Sequence, residues 1–467
     1  MATDTATAST GTGNTLGEQL RGSVAGPGDG SYDTARAAYN AMHDCRPLAV
    51  ARCANDADVM SVVRFARDNG LPLAVRGGNH SVPGFGTCDE GIVLDLSDIR
   101  NVRVDPSTRT ARVGGGALLG DLDHAAHAYG LATPAGFIST TGVGGLTLGG
   151  GIGAYLSRRY GLTCDNLLSA DVITAEGSPV HASATENEDL FWALRGGGGN
   201  FGVVTSLELQ LHPVKEVVGG PIFFELDAAG DVLRFYRDLM KRAPRELGGF
   251  FAFQIAPPLP FIPEDRHGDT LCLIVTSWSG APEDADEWID QIRGAGPVVA
   301  EHVGPMPYPA LQSAFDGLVP AGLRHYWKSD FVRELTEEGI EAHLEHGPRV
   351  PSMTATMHIY PINGAVQDVP PDETAFAVRD ADFSVNIAGI WSDASADDAH
   401  VTWVRDYYGA IHPHSGYEGG YTNFMAADDQ ARVRENYGPA YDRLARVKAK
   451  WDPDNLFRLN QNIEPRA

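Results

Sequence analysis

The sequence predicts an α+β protein of two domains, on three observations. A chain of 467 residues exceeds what one hydrophobic core usually serves. Up to Pro213 helical and strand-like patterns mix, at spacings too irregular for a regular doubly wound sheet. Beyond Pro213 long β-rich runs dominate, as one large antiparallel sheet with helices on one face would require. The expected division is a flexible tail over 1–30, a first domain over 31–213, a second over 214–425, and a stretch over 426–467 that returns to the first.

The first helix begins at Asn55, a side chain suited to capping, carries Val59, Val62, Val63 and Ala66 at helical spacing, and stops at Gly70. Strands follow at 71–75 and 91–96, then a hairpin over 102–113 turning at Asp105-Pro106-Ser107. A helix over 117–129 ends at Gly130, and a strand over 170–175 runs into Glu176-Gly177. The second domain shows strands at 250–255, 270–278, 325–332, 353–360 and 383–391, with helices at 281–293 and 336–345. Ala440, Leu444 and Val447 mark an amphipathic helix near the end.

Charge narrows the function classes. Against 36 basic residues stand 61 acidic ones, a net charge of -25 that repels nucleic acid and anionic lipid surfaces. The five cysteines are scattered, with no CxxC and no zinc spacing, so no metal is expected and the thiols suit a cytoplasmic setting. Residues 1–14 lack a signal-peptide pattern, and no apolar run reaches membrane length. His412-Pro413-His414 reads as a surface loop rather than a metal site.

Chemistry concentrates in three glycine-rich tracts. Leu73 to Ser81 (LAVRGGNHS) empties a strand into a Gly-Gly turn that presents His80; Gly142 to Gly153 (GVGGLTLGGGIG) and Arg195 to Gly202 (RGGGGNFG) follow. Glycine lets backbone N–H groups approach an anion, so one nucleotide with a pyrophosphate explains all three. Gly149 to Ala154 also fits a dinucleotide fingerprint, with Asp171 downstream, and so opens a nicotinamide-dependent dehydrogenase as an alternative; the Gly- and Thr-rich run before it, in place of a clean strand, argues against that. No P-loop and no GxSxG elbow is present. In Gly419-Gly420-Tyr421-Thr422-Asn423-Phe424, Tyr421 can serve as a general base if hydrogen-bond donors favour its phenolate, with Asn423 the nearest amide. Period-two spacing puts Tyr326 with Lys328, and His358 with Tyr360, on shared strand faces, which makes Tyr326, His358 and Tyr360 further catalytic candidates and leaves a wet face as the alternative for Lys328.

Residues 47–213 together with Trp451 to Ile463 (WDPDNLFRLNQNI) resemble the berberine-bridge-enzyme-like branch of the vanillyl-alcohol oxidase / p-cresol methylhydroxylase flavoproteins. The resemblance implies an FAD-binding domain over 31–213, a substrate-binding domain over 214–425, and FAD bonded covalently to His80. Relatives with a second covalent link carry a cysteine where this chain has Ile138, so a single link is expected. The implied cofactor contacts are Arg76, Gly77, Gly78, Asn79, His80, Ser81 and Gly84 in the first tract, and Gly142, Gly144, Gly145, Gly149, Gly150, Gly151 and Gly153 in the second, supported by Asn166, Asn460 and Asn462. The family's YxN tyrosine corresponds to Tyr421. The implied activity is an oxidase that removes hydride from a C–H beside an alcohol or amine of a small molecule, with molecular oxygen as acceptor and hydrogen peroxide as product. A flavin scaffold that only binds a ligand is the alternative from another class. Substrate and oligomeric state stay open.

Overall fold

The computed structural model describes residue 13 and residues 15–466. The expected tail over 1–30 is corrected: Leu16 is fully buried, the Arg21 and Gly22 N–H groups each donate to the Asp58 carboxylate at 2.9 Å, and Ser23–Ala25 pairs antiparallel with Ala49–Arg52. Residues 1–12 and 14 lie outside the described residues. Asp58 is a buried acceptor for three backbone N–H groups, Ala54 included, and that is what binds this segment to the fold.

Ser23–Ala25, Ala49–Arg52, Ile92–Asp95 and Leu73–Arg76 form a four-stranded sheet in that order, its last three strands parallel. The helix Asp56–Asp68 covers it with Val59, Val62, Val63 and Ala66, and the Asn55 side chain caps it by accepting from the Asp58 N–H at 3.1 Å. A five-stranded antiparallel sheet follows, ordered Val102–Asp105, Thr110–Gly114, Val203–Gln210, Leu167–Ile173, Pro179–Ser183.

Beyond these lies the large antiparallel sheet that the β-rich runs predict. Its path runs Val298–Glu301, Glu216–Phe224, Thr270–Trp278, Leu247–Ile255, Thr356–Pro361, Phe383–Trp391, Arg324–Val332, with Gly304–Pro307 also paired to Glu216–Phe224. Alternation sorts its side chains. Phe251, Phe253, Ile274, Met357, Val385 and Ile387 share a core with residues of the helices Ala229–Arg242, Ala285–Arg293, Glu337–His346 and Asp397–Ile411, whereas Phe250, Ala252, Leu273, Val275 and Tyr360 cluster with Tyr155, Phe376 and Tyr421 on the other face. One face is therefore closed by helices and the other roofs the first half of the molecule. Ala229–Arg242 and Asp397–Ile411 were not expected from sequence. The latter mixes Val, Thr, Trp and Tyr, which favour strands, while its buried His400, Trp403, Val404, Tyr407 and Ile411 keep helical spacing.

The last helix, Tyr441–Trp451, packs on Glu188–Leu194. Its fully buried Lys448 ammonium donates to the carbonyls of Asn200 (2.7 Å) and Phe457 (3.1 Å) and pairs with buried Asp452 at 2.5 Å, so the WDPDNLF turn is wound around one internal ion pair. Among the described residues no helix is long and apolar enough to cross a membrane.

Candidate functional site

A cavity of about 370 Å³ runs between the glycine-rich turns and the roofing sheet. At one end Gly77 and Gly78 meet Gly142, Gly144 and Gly145, with Gly198, Gly199 and Gly202 of the third tract also on the wall. The first two tracts touch through bare backbone: a Cβ on Gly78 would lie 2.2 Å from the Gly142 nitrogen, and one on Gly142 would lie 2.4 Å from the Gly78 nitrogen. Only glycine allows that approach, and between the turns it leaves a cradle lined by peptide groups.

His80 stands beside the cradle on Asn79, which takes a left-handed φ of 64°. Its ring stacks on Tyr39 at 3.8 Å between centroids and is held by two hydroxyls, Thr140 Oγ1 at 2.8 Å from Nε2 and Thr141 Oγ1 at 3.4 Å from Nδ1. Desolvation lowers its pKa to about 4, so at neutral pH the imidazole is uncharged and keeps a nucleophilic lone pair. Ile138 lines the same cavity, and none of the five cysteines does.

Beneath the roof, three donors converge on the Tyr421 oxygen: the Asn423 amide at 2.8 Å and the backbone N–H groups of Gly151 at 2.9 Å and Ile152 at 3.3 Å. Burial raises the phenol pKa to about 12, and these three donors pull against that shift because each favours the phenolate. Asn423 is itself fixed by donating to the Leu146 carbonyl at 3.1 Å. Across the cavity His358 Nδ1 and the Tyr360 hydroxyl lie 2.5 Å apart, with His358 Nε2 3.3 Å from Thr356 Oγ1. Desolvation holds His358 neutral, with a pKa near 3, and pushes Tyr360 far above the usual phenol range.

The structure corrects several site expectations. Tyr326 does not face the cavity: its neighbours His325 and Trp327 do, while its hydroxyl donates to Asp428 at 2.7 Å and accepts from Arg405 at 3.0 Å on the helix side. Lys328 shares that side, buried and paired with Asp429 at 2.7 Å, so the expected wet face is absent. Gly149, Gly150, Gly151 and Gly153 lie behind the wall, against Asn423, Phe376, Thr163 and Ala135, and serve by shaping the turn that carries the two N–H groups on Tyr421. Gly84 packs against the His43 ring. Arg76 reaches the wall, yet its guanidinium is taken by the carbonyls of Gly86, Ala35 and Arg36 and paired with the Asp95 carboxylate at 3.8 Å, so it braces loops instead of offering a free charge. Asn166 donates to Tyr160 and Leu162 carbonyls and accepts from His212, away from the cavity. Asn462 also lies off the wall, whereas Asn460 and Ser81 line it.

Sequence reasoning missed Tyr39, Thr140 and Thr141 around His80, and His325, Trp327, Gln254, Thr356 and Asn386 on the roof. The roof residues carried one usable signal, the period-two alternation of their strands. Among the described residues no group of three or more His, Cys, Asp or Glu side chains could hold a metal ion.

Residues 47–183 match the family model described as "FAD binding domain", and residues 420–464 the one described as "Berberine and berberine like". The chain is 32% identical to an FAD-linked oxidoreductase of Dictyostelium discoideum over 90% of its own length and 89% of that protein's. It is 31% identical to the (R)-6-hydroxynicotine oxidase of Paenarthrobacter nicotinovorans, over 96% and 97% of the two chains. The crystal structure of 6-hydroxy-D-nicotine oxidase from Arthrobacter nicotinovorans aligns with a TM-score of 0.85 at 30% identity, covering 96% of this chain and 98% of that one. Physcomitrella patens BBE-like 1 aligns with a TM-score of 0.87 at 24% identity, covering 97% and 99%.

Proposed function

Given that the chain belongs to the berberine-bridge-enzyme-like FAD-linked oxidoreductases, and is an FAD-dependent oxidase, we propose that Tyr421 is its general base and His80 its single covalent attachment point for FAD. The match to an FAD-binding domain sets aside the nicotinamide alternative. The residues fit the cofactor: two glycine turns in backbone contact make a cradle a Cβ would fill, and an uncharged imidazole stands at its edge. When bound, FAD supplies a two-electron acceptor for hydride from carbon and passes the electrons to molecular oxygen, giving hydrogen peroxide.

The observation that carries the assignment is the convergence of Asn423, Gly151 and Ile152 on one phenol oxygen. A buried phenol acting only as a packing ring has no use for three donors, whereas a phenolate does. Tyr421 thus takes the proton of a substrate hydroxyl or amine while the adjacent carbon gives up hydride, and Asn423 and the turn at Gly151 keep the oxygen in place. His358 and Tyr360, bonded to one another on the roof, orient the substrate from the opposite side. No cysteine reaches the cavity, which supports attachment through His80 alone, and the five free thiols are consistent with a cytoplasmic setting.

Tyr421→Phe tests the assignment by anaerobic stopped-flow reduction. Removing a positioned base typically costs ~10² to 10⁴ in rate, so reduction should collapse while the flavin spectrum and the covalent bond survive. Reduction within about tenfold of wild type, some 1.4 kcal/mol in barrier, would show that another group takes the proton.

A further inference from the structure

The roof of the cavity is a grid fixed by strand register. Trp327 lies opposite Ala388, and Ala388 opposite Thr356; the next row sets Ser329, Asn386, His358 and Ala252 side by side. The small Ala388, Thr356 and Ala252 leave the middle low, Trp327 rises at one side, and Phe250, stacked on Phe137 at 5.1 Å, rises at the other. The polar side chains Gln254, His325, Thr356, His358, Tyr360 and Asn386 on this face are all neutral. Arg76 is the one charged residue among those lining the cavity, and it lies at the glycine end with its guanidinium committed to carbonyls and to the Asp95 carboxylate.

We propose that this half of the cavity selects an uncharged, flat, ring-bearing molecule, placing the ring between Trp327 and the Phe137–Phe250 pair and its polar edge on the Asn386–His358–Thr356 row. The inference rests on the oxidase reading and adds the substrate class. A carboxylate or ammonium brought here would be desolvated with no counter-ion, which is costly, and a saccharide would leave hydroxyls facing rings. An aromatic ring loses neither hydration of charge nor hydrogen bonds, and gains stacking.

The test uses the FAD-loaded protein, anaerobic, with flavin absorbance reporting first binding and then reduction. The probes are 4-methoxybenzyl alcohol, 4-(hydroxymethyl)benzoate and cellobiose. The neutral aryl alcohol is expected to bind at least ~100-fold more tightly than either other probe. Equal or tighter binding of the carboxylate or the disaccharide overturns the proposal, as does absence of any binding by the aryl alcohol. Binding without reduction would instead count against the Tyr421 reading, so the two fail separately. In Gln254→Glu, 4-(aminomethyl)benzyl alcohol, a cation at neutral pH, should gain at least ~10-fold in affinity relative to wild type, because a counter-charge now lies on the roof. An unchanged affinity in a folded variant would contradict a pocket that excludes charge for want of a partner. Asn386→Asp repeats the comparison from the middle of the grid.

Discussion

Replacing Gly78 with alanine should damage both the fold and the attachment of FAD, by an amount that follows from the contact at the cradle. The new Cβ would sit 2.2 Å from the Gly142 nitrogen and 2.6 Å from its Cα, both of them backbone atoms with no rotamer to escape into. Ordinary contact needs roughly 3.4 Å, so the two turns must part by about 1 Å, and overpacking of that kind costs about 1–3 kcal/mol. Thr140 and Thr141 move with the Gly142 turn, and adding 1 Å to the 2.8 Å bond between Thr140 and His80 breaks it. Gly145→Ala is the informative contrast. A Cβ there meets nothing within 4 Å, and the position lies within the helix Val143–Leu148, so the fold should hold or gain slightly while a methyl intrudes on the cavity. Urea midpoints report stability, and absorbance of the pellet after acid precipitation reports covalent flavin. Gly78→Ala should lower both; Gly145→Ala should lower only the flavin fraction. If Gly78→Ala matches wild type in both measurements, or Gly145→Ala is the less stable of the two, the cradle argument is wrong.

His80→Ala should release all flavin to the supernatant on acid precipitation, and a peptide adduct surviving elsewhere would refute the single-link assignment. Tyr326→Phe removes a hydroxyl bonded to Asp428 and Arg405 on the far side of the sheet, so it should lower the urea midpoint by the equivalent of about 1 kcal/mol while leaving flavin reduction within about twofold; a large loss of rate would return Tyr326 to the site. Acid should destabilise the protein below about pH 6.5. Burial lowers His80 and His212 to about 4 and His325, His343 and His358 to about 3, so these stay neutral in the fold while the unfolded chain takes up protons. Their contribution is complete above about pH 6.5 and is lost as pH falls toward 4. Asp123, raised to about 7, and Asp330, raised to about 6, act in the opposite sense and offset part of the loss. A net uptake of roughly three protons gives about 4 kcal/mol per pH unit near pH 5, visible as a falling urea midpoint between pH 7 and 5; a flat or rising midpoint would show that these imidazoles are not held neutral.

Local chemistry was legible wherever one segment decides its own fate. Asn55 caps its helix, the 102–113 hairpin turns where Asp105-Pro106-Ser107 directs, and Thr270–Trp278 and Phe383–Trp391 form the strands their apolar runs announce. Facing was not legible. Period two puts Tyr326 and Lys328 together, but only the helices packed behind the sheet determine that they turn away while His325 and Trp327 turn in. Glycines mislead in a related way, because close approach to a ligand and close approach to Thr163 or Phe376 ask for the same missing Cβ. Tyr39 carried no signal: its partner His80 is 41 positions away, and nothing in the surrounding segment marks a stacking ring.

The internal ion pair at Lys448 has a consequence for the order in which the protein matures. Lys448 ties the carbonyl of Asn200 to that of Phe457, and Phe457, Leu459, Asn460 and Gln461 complete the wall that Tyr39 and His80 begin. During synthesis the glycine turns and His80 therefore leave the ribosome hundreds of residues before the strand of chain that closes their cavity. Until that segment docks, the nascent protein holds half a pocket, so the proposed joining of a flavin to His80 would be a late event that waits for residues 457–461.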